Sequence, residues 1–297
     1  MTSCGASTSA SCLRAWRPER FVRTLANGAE RCVRWQTVPR QQAMHSALPP
    51  LEKTRLIRAQ NRLIARLPTA DRRRLLSACE SVAFEVGDVL DEAGVPTRYA
   101  YFPLSGVVSL TATLPKGGEL GLGLVGREAM LGSHLALNVT PAPWRAQVLA
   151  AGTSWRIGAA TFATELAASA AIRRWVQRDL YRQLTQLADC ALCLHSHLIA
   201  PRLARYLLML HDRAPSQDIR LTHEFLATAL GVRRVSITTA ANEMQKGGLI
   251  EYRRGHLTVR NHAGLQAQSC TCYAAQLRAT AALDQGRGRS YSRNITG

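Results

Sequence analysis

Apolar and polar positions change their period several times along the chain. In 62–67 and 69–79 the apolar residues recur at helical spacing, with Pro68 separating the two runs and Thr69 placed to cap the second. From about 81 to 157 the period shortens to two. Val82, Phe84 and Val86 alternate, as do Tyr99 and Tyr101, and 107–110 is a short apolar run. Gly87, Gly94, Gly106, Gly117 and Gly118 separate these runs at turn-like spacing. Short strands divided by glycines predict an antiparallel sandwich or barrel.

A long helix is then expected from about 171. Leu180, Leu184, Leu187, Ala191, Leu194 and Leu198 follow one another at steps of 4, 3, 4, 3 and 4. That is the a/d spacing of a two-helix seam, on a helix of roughly 40 Å. A parallel homodimer seam is the favoured reading, and packing on the chain's own barrel is the alternative. Pro201 ends this helix or opens the next.

Beyond it, 222–230 and 233–246 read as two short helices with Gly231 at the turn. Thr222 is a good N-cap, Glu224 suits a first turn, and Phe225, Leu226 and Leu230 form a buried stripe. Val235, Ile237, Ala241 and Met244 are the apolar members of the second helix. Gly247 and Gly248 end it, and 251–259 reads as a hairpin with Arg253, Arg254 and Gly255 at its tip. The whole is a winged helix-turn-helix. Arg233 and Arg234 begin the second helix, where a cation meets an unfavourable dipole. A DNA major groove would supply the missing negative field, and arginine pairs bidentately with guanine. Ser236 and Thr239 lie on the same face.

Charge supports a polyanionic partner without choosing one. The 297-residue chain has a formal net charge of +18, and residues 201–297 carry 14 Lys/Arg against 6 Asp/Glu. Residues 1–48 hold seven Arg and two Glu with poor apolar periodicity. Disorder is expected there; a transit-like leader and a start at Met44 are the other readings. No run of 18 apolar residues occurs, so no membrane span is expected. Eight scattered cysteines form no compact disulfide framework and fit a reducing, cytoplasmic setting.

Cys190, Cys193 and His197 share one helical face, but a seven-residue reach of about 10 Å is too long for one zinc ion. Cys270 and Cys272 are too close together for a zinc knuckle and lack a second pair nearby. Cys4, Cys12 and Cys32 lack close spacing. No metal or other cofactor is therefore expected. Gly-x-Ser-x-Gly, P-loop and His-Glu-x-x-His patterns are absent, so no enzyme is expected either.

Taken in order, these elements resemble the Crp/Fnr family of bacterial transcription regulators over residues 55–273. The resemblance rests on EVGDVLDEAGVPTRYAYFPLSGVVSL in the roll, with glycines at 87, 94 and 106, and on LTHEFLATALGVRRVSITTAANEMQKGGLIEYRRGHLTV. YFPLSG, VGREAMLG and CTCY look like one subgroup without an obvious cyclic-nucleotide signature. The resemblance implies an α+β fold: an antiparallel cyclic-nucleotide-binding-like β-roll at 55–170, a dimerisation helix at 171–199, and a winged helix-turn-helix at 201–273. A flexible basic tail is expected at 274–297.

Carried over, Arg234 takes the place of the main base-reading arginine and Thr239 that of a second reader, often Arg. Thr222, His223 and Ser236 fall at phosphate-contact positions, and Val235 replaces a base-reading Glu. In nucleotide-binding members, a Gly-Glu-Leu opens the phosphate cassette and an Arg follows downstream. Here Gly132 aligns with the glycine, Ser133 with the Glu and Trp144 with the Arg, leaving Arg145 one place on. An alignment through Gly126, Arg127 and Glu128 leaves too long a spacing to Arg145. Response to cAMP is therefore not expected. The implied partners are double-stranded DNA and a second copy of the chain, with RNA polymerase and an unidentified small-molecule effector as further candidates. The alternative function is a small-molecule or redox sensor with weak or nonspecific DNA binding.

Overall fold

A computed structural model describes residues 23–24, 30–31, 61–113, 118–214, 219–253 and 255–284. Within residues 1–48 it describes a two-residue antiparallel ladder, Arg23–Thr24 with Glu30–Arg31. The rest of that segment lies outside the described residues.

From Asn61 onward the described residues open with α1 (Arg62–Ala65) and α2 (Thr69–Ser77). Asn61 caps α1, its Oδ1 accepting from the Leu63 and Ile64 amides, while its Nδ2 donates to the Pro103 and Ala129 carbonyls. One buried amide thus closes a helix end and ties it to the strands behind. Thr69 does not cap α2. It is the first helical residue, and Pro68 occupies the cap position without a side-chain bond.

Seven strands follow: β1 (Glu80–Phe84), β2 (Val89–Asp91), β3 (Tyr99–Pro103), β4 (Val107–Thr113), β5 (Glu119–Val125), β6 (Arg145–Ala150) and β7 (Gly152–Gly158). They form two antiparallel sheets, ordered β1-β7-β3 and β2-β6-β4-β5. Val82, Phe84, Tyr101, Val108, Leu110, Val125, Ala146 and Val148 fill the space between them. Alternation on β3 serves two cores. Tyr101 points between the sheets, while Ala100 and Phe102 face α1, α2, α3 (Ala159–Ala168) and the start of α4 (Ala170–Ser196).

α4 buries Ile172, Val176, Asp179, Gln183, Gln186 and Cys193. Its inward face beyond Val176 is therefore mostly polar, and those groups are paired. Gln183 donates to the Asp179 carboxylate (2.7 Å) and the Met130 carbonyl (3.2 Å), and Arg182 pairs with Asp179 at 2.5 Å. The leucine face is turned outward: Leu184 is 63% exposed. The helix stops at Ser196, and Leu198 is the cap of α5 (Ile199–Arg213). The expected seam therefore loses its last member from the straight helix. Pro201 lies in the first turn of α5, where its missing N–H costs nothing.

Every residue of α5 from Arg202 to Leu210 is buried. Against it pack α6 (His223–Leu230), α7 (Arg234–Lys246), the three-stranded sheet of β8 (Ile219–Arg220), β9 (Ile250–Arg253) and β10 (His256–Val259), and α8 (His262–Gln268). The same apolar cluster includes Val107, Leu124, Leu149 and Ala150 of the roll. At this junction a Cβ on Gly121 would fall 2.5 Å from the Ala229 carbonyl oxygen, so only glycine admits the contact between β5 and α6. Arg213 at the end of α5 pairs with Glu128 of the roll at 2.8 Å. Burial pushes the Glu128 carboxyl up, but the Arg213 and Arg182 guanidinium groups bring it below its ordinary value. Residues 274–284, expected in a flexible tail, belong to α9 (Thr271–Asp284), which packs along α4 and α5.

Asp91 on β2 is the roll's weak point. Burial pushes its carboxyl up from 3.8 to about 6, and the Thr97 hydroxyl, donating at 2.9 Å, only partly offsets this. The folded state therefore binds more protons than the unfolded state between these values, so stability falls as pH rises through them. Asp91→Asn should remove that decline and leave the protein about 1–3 kcal/mol more stable than the parent near pH 8. Urea unfolding across this pH range checks it; an unchanged slope for the variant would contradict the assignment.

Candidate nucleic-acid interface

α6, Gly231 and α7 form the helix-turn-helix. Thr222 Oγ1 accepts from the Phe225 amide at 3.0 Å and begins α6. Gly231 turns the chain at φ +62°, and a Cβ there would meet Leu120 at 2.8 Å. Ile237, Ala240, Ala241 and Met244 hold α7 inward. Its outward face carries Arg233, Arg234, Val235, Thr239, Asn242 and Lys246, with Ser236 half-buried beside them. Val235, one of the apolar members read from the sequence, is 73% exposed, and the buried apolar positions are Ile237, Ala240, Ala241 and Met244. Asn242 and Lys246 were missed, although steps of three and four from Val235 and Thr239 lead to them.

Arg233 occupies the cap of α7 without a side-chain bond, so the first amides of the helix stay open to an anion. Thr238 and Thr239 donate their hydroxyls to the Arg234 and Val235 carbonyls, each at 3.1 Å. His223 begins α6, but its ring turns inward. Nδ1 meets the Thr238 hydroxyl at 3.0 Å, the ring stacks on Tyr252 at 4.6 Å, and Nε2 is buried. Burial first, and then the Arg234 charge, lower its pKa. Its backbone amide is engaged as well, donating to the Tyr252 hydroxyl oxygen. Tyr252 completes the brace, donating its hydroxyl to the Leu221 carbonyl at 2.6 Å. The wing is β9 and β10. Arg253 extends from it into solvent, 3.1 Å from Glu251, which Arg260 also holds at 2.8 Å. Arg254 at the tip lies outside the described residues.

In the roll, Gly132 opens a 3-10 turn, Ser133–Leu137, at φ +78°. Ser133 is 2% exposed. Trp144 packs on the cluster between the sheets, on the same side as Ala146 and Val148. Arg145 points the other way and pairs with Glu92 at 2.7 Å. The side chain that faces the interior at this position is thus an indole, and the cation is already matched outside.

The long helix presents Leu184 and Ala191 to solvent, with Leu180, Leu187 and Leu194 half-buried and Leu198, 82% exposed, beyond the helix end. Cys193 and His197, read with Cys190 on one helical face, and Cys270 and Cys272, read as a separate pair, come together: their ligand atoms all lie within 4.8 Å of one another. Cys190 stands apart, its sulfur 3.8 Å from the Gly121 carbonyl oxygen. Among the described residues no helix is long and apolar enough to cross a membrane.

Residues 81–169 match the cyclic nucleotide-binding domain, and residues 201–268 match the Crp-like helix-turn-helix domain. No curated protein matches the chain in sequence. Among solved structures, the chain is similar to FixK2 from Bradyrhizobium japonicum, at 14% identity and a TM-score of 0.56, over 65% of this chain and 98% of that one. A Crp/Fnr-family regulator from Eubacterium rectale matches at 17% identity and TM-score 0.56, over 69% and 96% of the two chains. The c-di-GMP-responsive global regulator CLP of Xanthomonas campestris matches at 20% identity and TM-score 0.53, over 65% and 99%. With its two domain matches covering more than half of its length, in the order these structures share, the chain belongs to the Crp/Fnr family of transcription regulators.

Proposed function

We propose that the chain acts, without enzymatic activity, as a homodimer that binds a specific, near-palindromic DNA site, and that its roll does not respond to cAMP. The observation that carries the DNA-binding reading is the outward face of α7. Two arginines, an open helix N-terminus, a valine and a threonine lie there together, on a helix held from behind by an apolar core. Arginine in the major groove reads guanine O6 and N7, and an exposed valine fits a thymine methyl group. Arg233, Arg234 and Thr239 are assigned to the bases. Thr222, Ser236, Arg253 and Arg254 are assigned to phosphates.

The leucine face of α4 supports the dimer. Leu184 and Ala191 are exposed and Leu180, Leu187 and Leu194 are only half-covered by their own chain, because beyond Val176 the helix packs inward mainly through Asp179, Gln183 and Gln186. Two recognition helices would then sit about 34 Å apart. Trp144 supports the exclusion of cAMP, since a neutral ring cannot pair with a cyclic phosphate and occupies interior volume. An effector needs only a few kcal/mol of preference between two orientations of the winged helices.

Arg234→Ala should lower affinity for the specific site by about 10- to 100-fold and leave salt-sensitive nonspecific binding in place. Footprinting at fixed salt measures this, and an unchanged footprint sinks the base-reading assignment. Leu184→Asp should convert the dimer to monomer in sedimentation; a variant that still sediments as a dimer refutes the seam. Titration of the protein with cAMP should give no saturable heat, and a saturable isotherm would overturn that part of the reading.

A further inference from the structure

Three cysteines and a histidine from distant parts of the chain converge at the break between α4 and α5. Cys193 lies in the last turn of α4, and His197 is the residue on which that helix ends. Because His197 is extended (φ −122°, ψ 143°), its ring leaves the helical path and turns back toward Cys193. Cys270 immediately precedes α9, and Cys272 is the second residue of that helix. The Cys270 amide donates to the Pro201 carbonyl at 3.3 Å, which anchors this pair beside the first turn of α5.

We infer that Cys193, His197, Cys270 and Cys272 form a closed structural zinc site. Tetrahedral zinc with bonds of about 2.3 Å to sulfur holds adjacent ligand atoms about 3.8 Å apart. Cys193 and Cys270 sulfurs are 3.5 Å apart, and the Cys272 sulfur is 3.7 Å from His197 Nδ1. The remaining separations, none above 4.8 Å, need only small side-chain rotations. Four protein donors leave no open position, and the three cysteines are buried, which is the pattern of a structural site rather than a catalytic one. Thiolate-rich donor sets select zinc over the oxygen-seeking magnesium and calcium.

The surroundings complete the charge balance. Three thiolates and a neutral imidazole around a dication leave one negative charge. Arg205, 5% exposed, turns its guanidinium toward the sulfurs of Cys193, Cys190 and Cys270, with Nη2 donating to Gln276 at 3.1 Å and Nε lacking a hydrogen-bond partner. The Asp189 carboxylate already lies within electrostatic range of this cation, and a zinc–thiolate centre would give it a further negative partner on the buried side. Cys270 and Cys272 also lie at the start of α9, whose amide dipoles favour thiolates. On binding, the three thiol protons leave to solvent and three sulfur–zinc bonds and one nitrogen–zinc bond form. The ion clips the end of the long helix to α9, and so fixes the angle at which α5 carries the helix-turn-helix away from α4.

Metal analysis of the full chain, purified under reducing conditions without chelator, tests this. One zinc per chain should survive dialysis. Cobalt(II) added to the metal-free protein should give tetrahedral d–d bands and thiolate charge-transfer absorption. Cys193→Ser and Cys270→Ser should each lose the ion, while Cys190→Ser, outside the four, should keep it. The wild-type cobalt spectrum requires no variant to fold. Absence of zinc with octahedral, weakly held cobalt, or a Cys193–Cys270 disulfide in place of the metal, would overturn the site.

Discussion

An amphipathic surface helix buries one stripe, whereas α5 buries every residue from Arg202 to Leu210. That requirement organises the molecule. Leucines at 203, 207, 208 and 210 reach in several directions, so the segment is stable only when surrounded. α6, α7 and α8 and the wing enclose it on the DNA-binding side, and Val107, Leu124, Leu149 and Ala150 of the roll join the same core. Removing one such leucine side chain costs about 2–5 kcal/mol. The two domains therefore share apolar material rather than meeting across a purely polar seam. The Glu128–Arg213 pair and the glycine contact at 121 set the register of that shared packing. A change in the roll has a direct physical route to the recognition helix.

α4 shows the complementary design. Beyond Val176 its inward side is mostly polar and hydrogen-bonded through Asp179, Gln183 and Gln186, with Gln276 of α9 donating to Gln186 at 3.2 Å. Hydrogen-bonded interfaces of this kind are specific in geometry yet gain less from burial than apolar ones. Such a helix can change its partners at modest cost. Its outward leucines, Leu184 among them, remain available for a second copy of the chain.

Local order made much of this legible in the sequence. Thr222, Gly231 and the Gly247–Gly248 pair act within a few residues of themselves, so their roles in the helix-turn-helix follow from spacing. Alternation at Val82, Phe84, Tyr99 and Tyr101 likewise predicts strands, although it does not say that β3 serves two cores. What depended on tertiary placement was hidden. Apolar periodicity in α4 finds the leucine face because that face is apolar; the inward face carries Asp and Gln and gives no such signal. Val235 is apolar yet outward, so its chemistry alone does not give its place, whereas its angle on α7 does. α9 has no strong apolar stripe, so a flexible tail was the natural expectation for 274–284. The Cys/His cluster required two facts that spacing cannot supply, the end of a helix at His197 and the return of residues 270–272 to the same place. Trp144 and Arg145 fall between these cases: the one-residue offset was visible, and the strand's facing decides which side chain points inward.

The central claim is that the outward face of α7, doubled by the leucine seam, reads DNA as a pair. Selection of bound duplexes from a random library, using the full chain at near-physiological salt, tests it most directly. The account predicts enrichment of two inverted half-sites with centres about one helical turn, roughly 34 Å, apart. Recovery of DNA without any enriched sequence, bound only through salt-sensitive contacts, would contradict it.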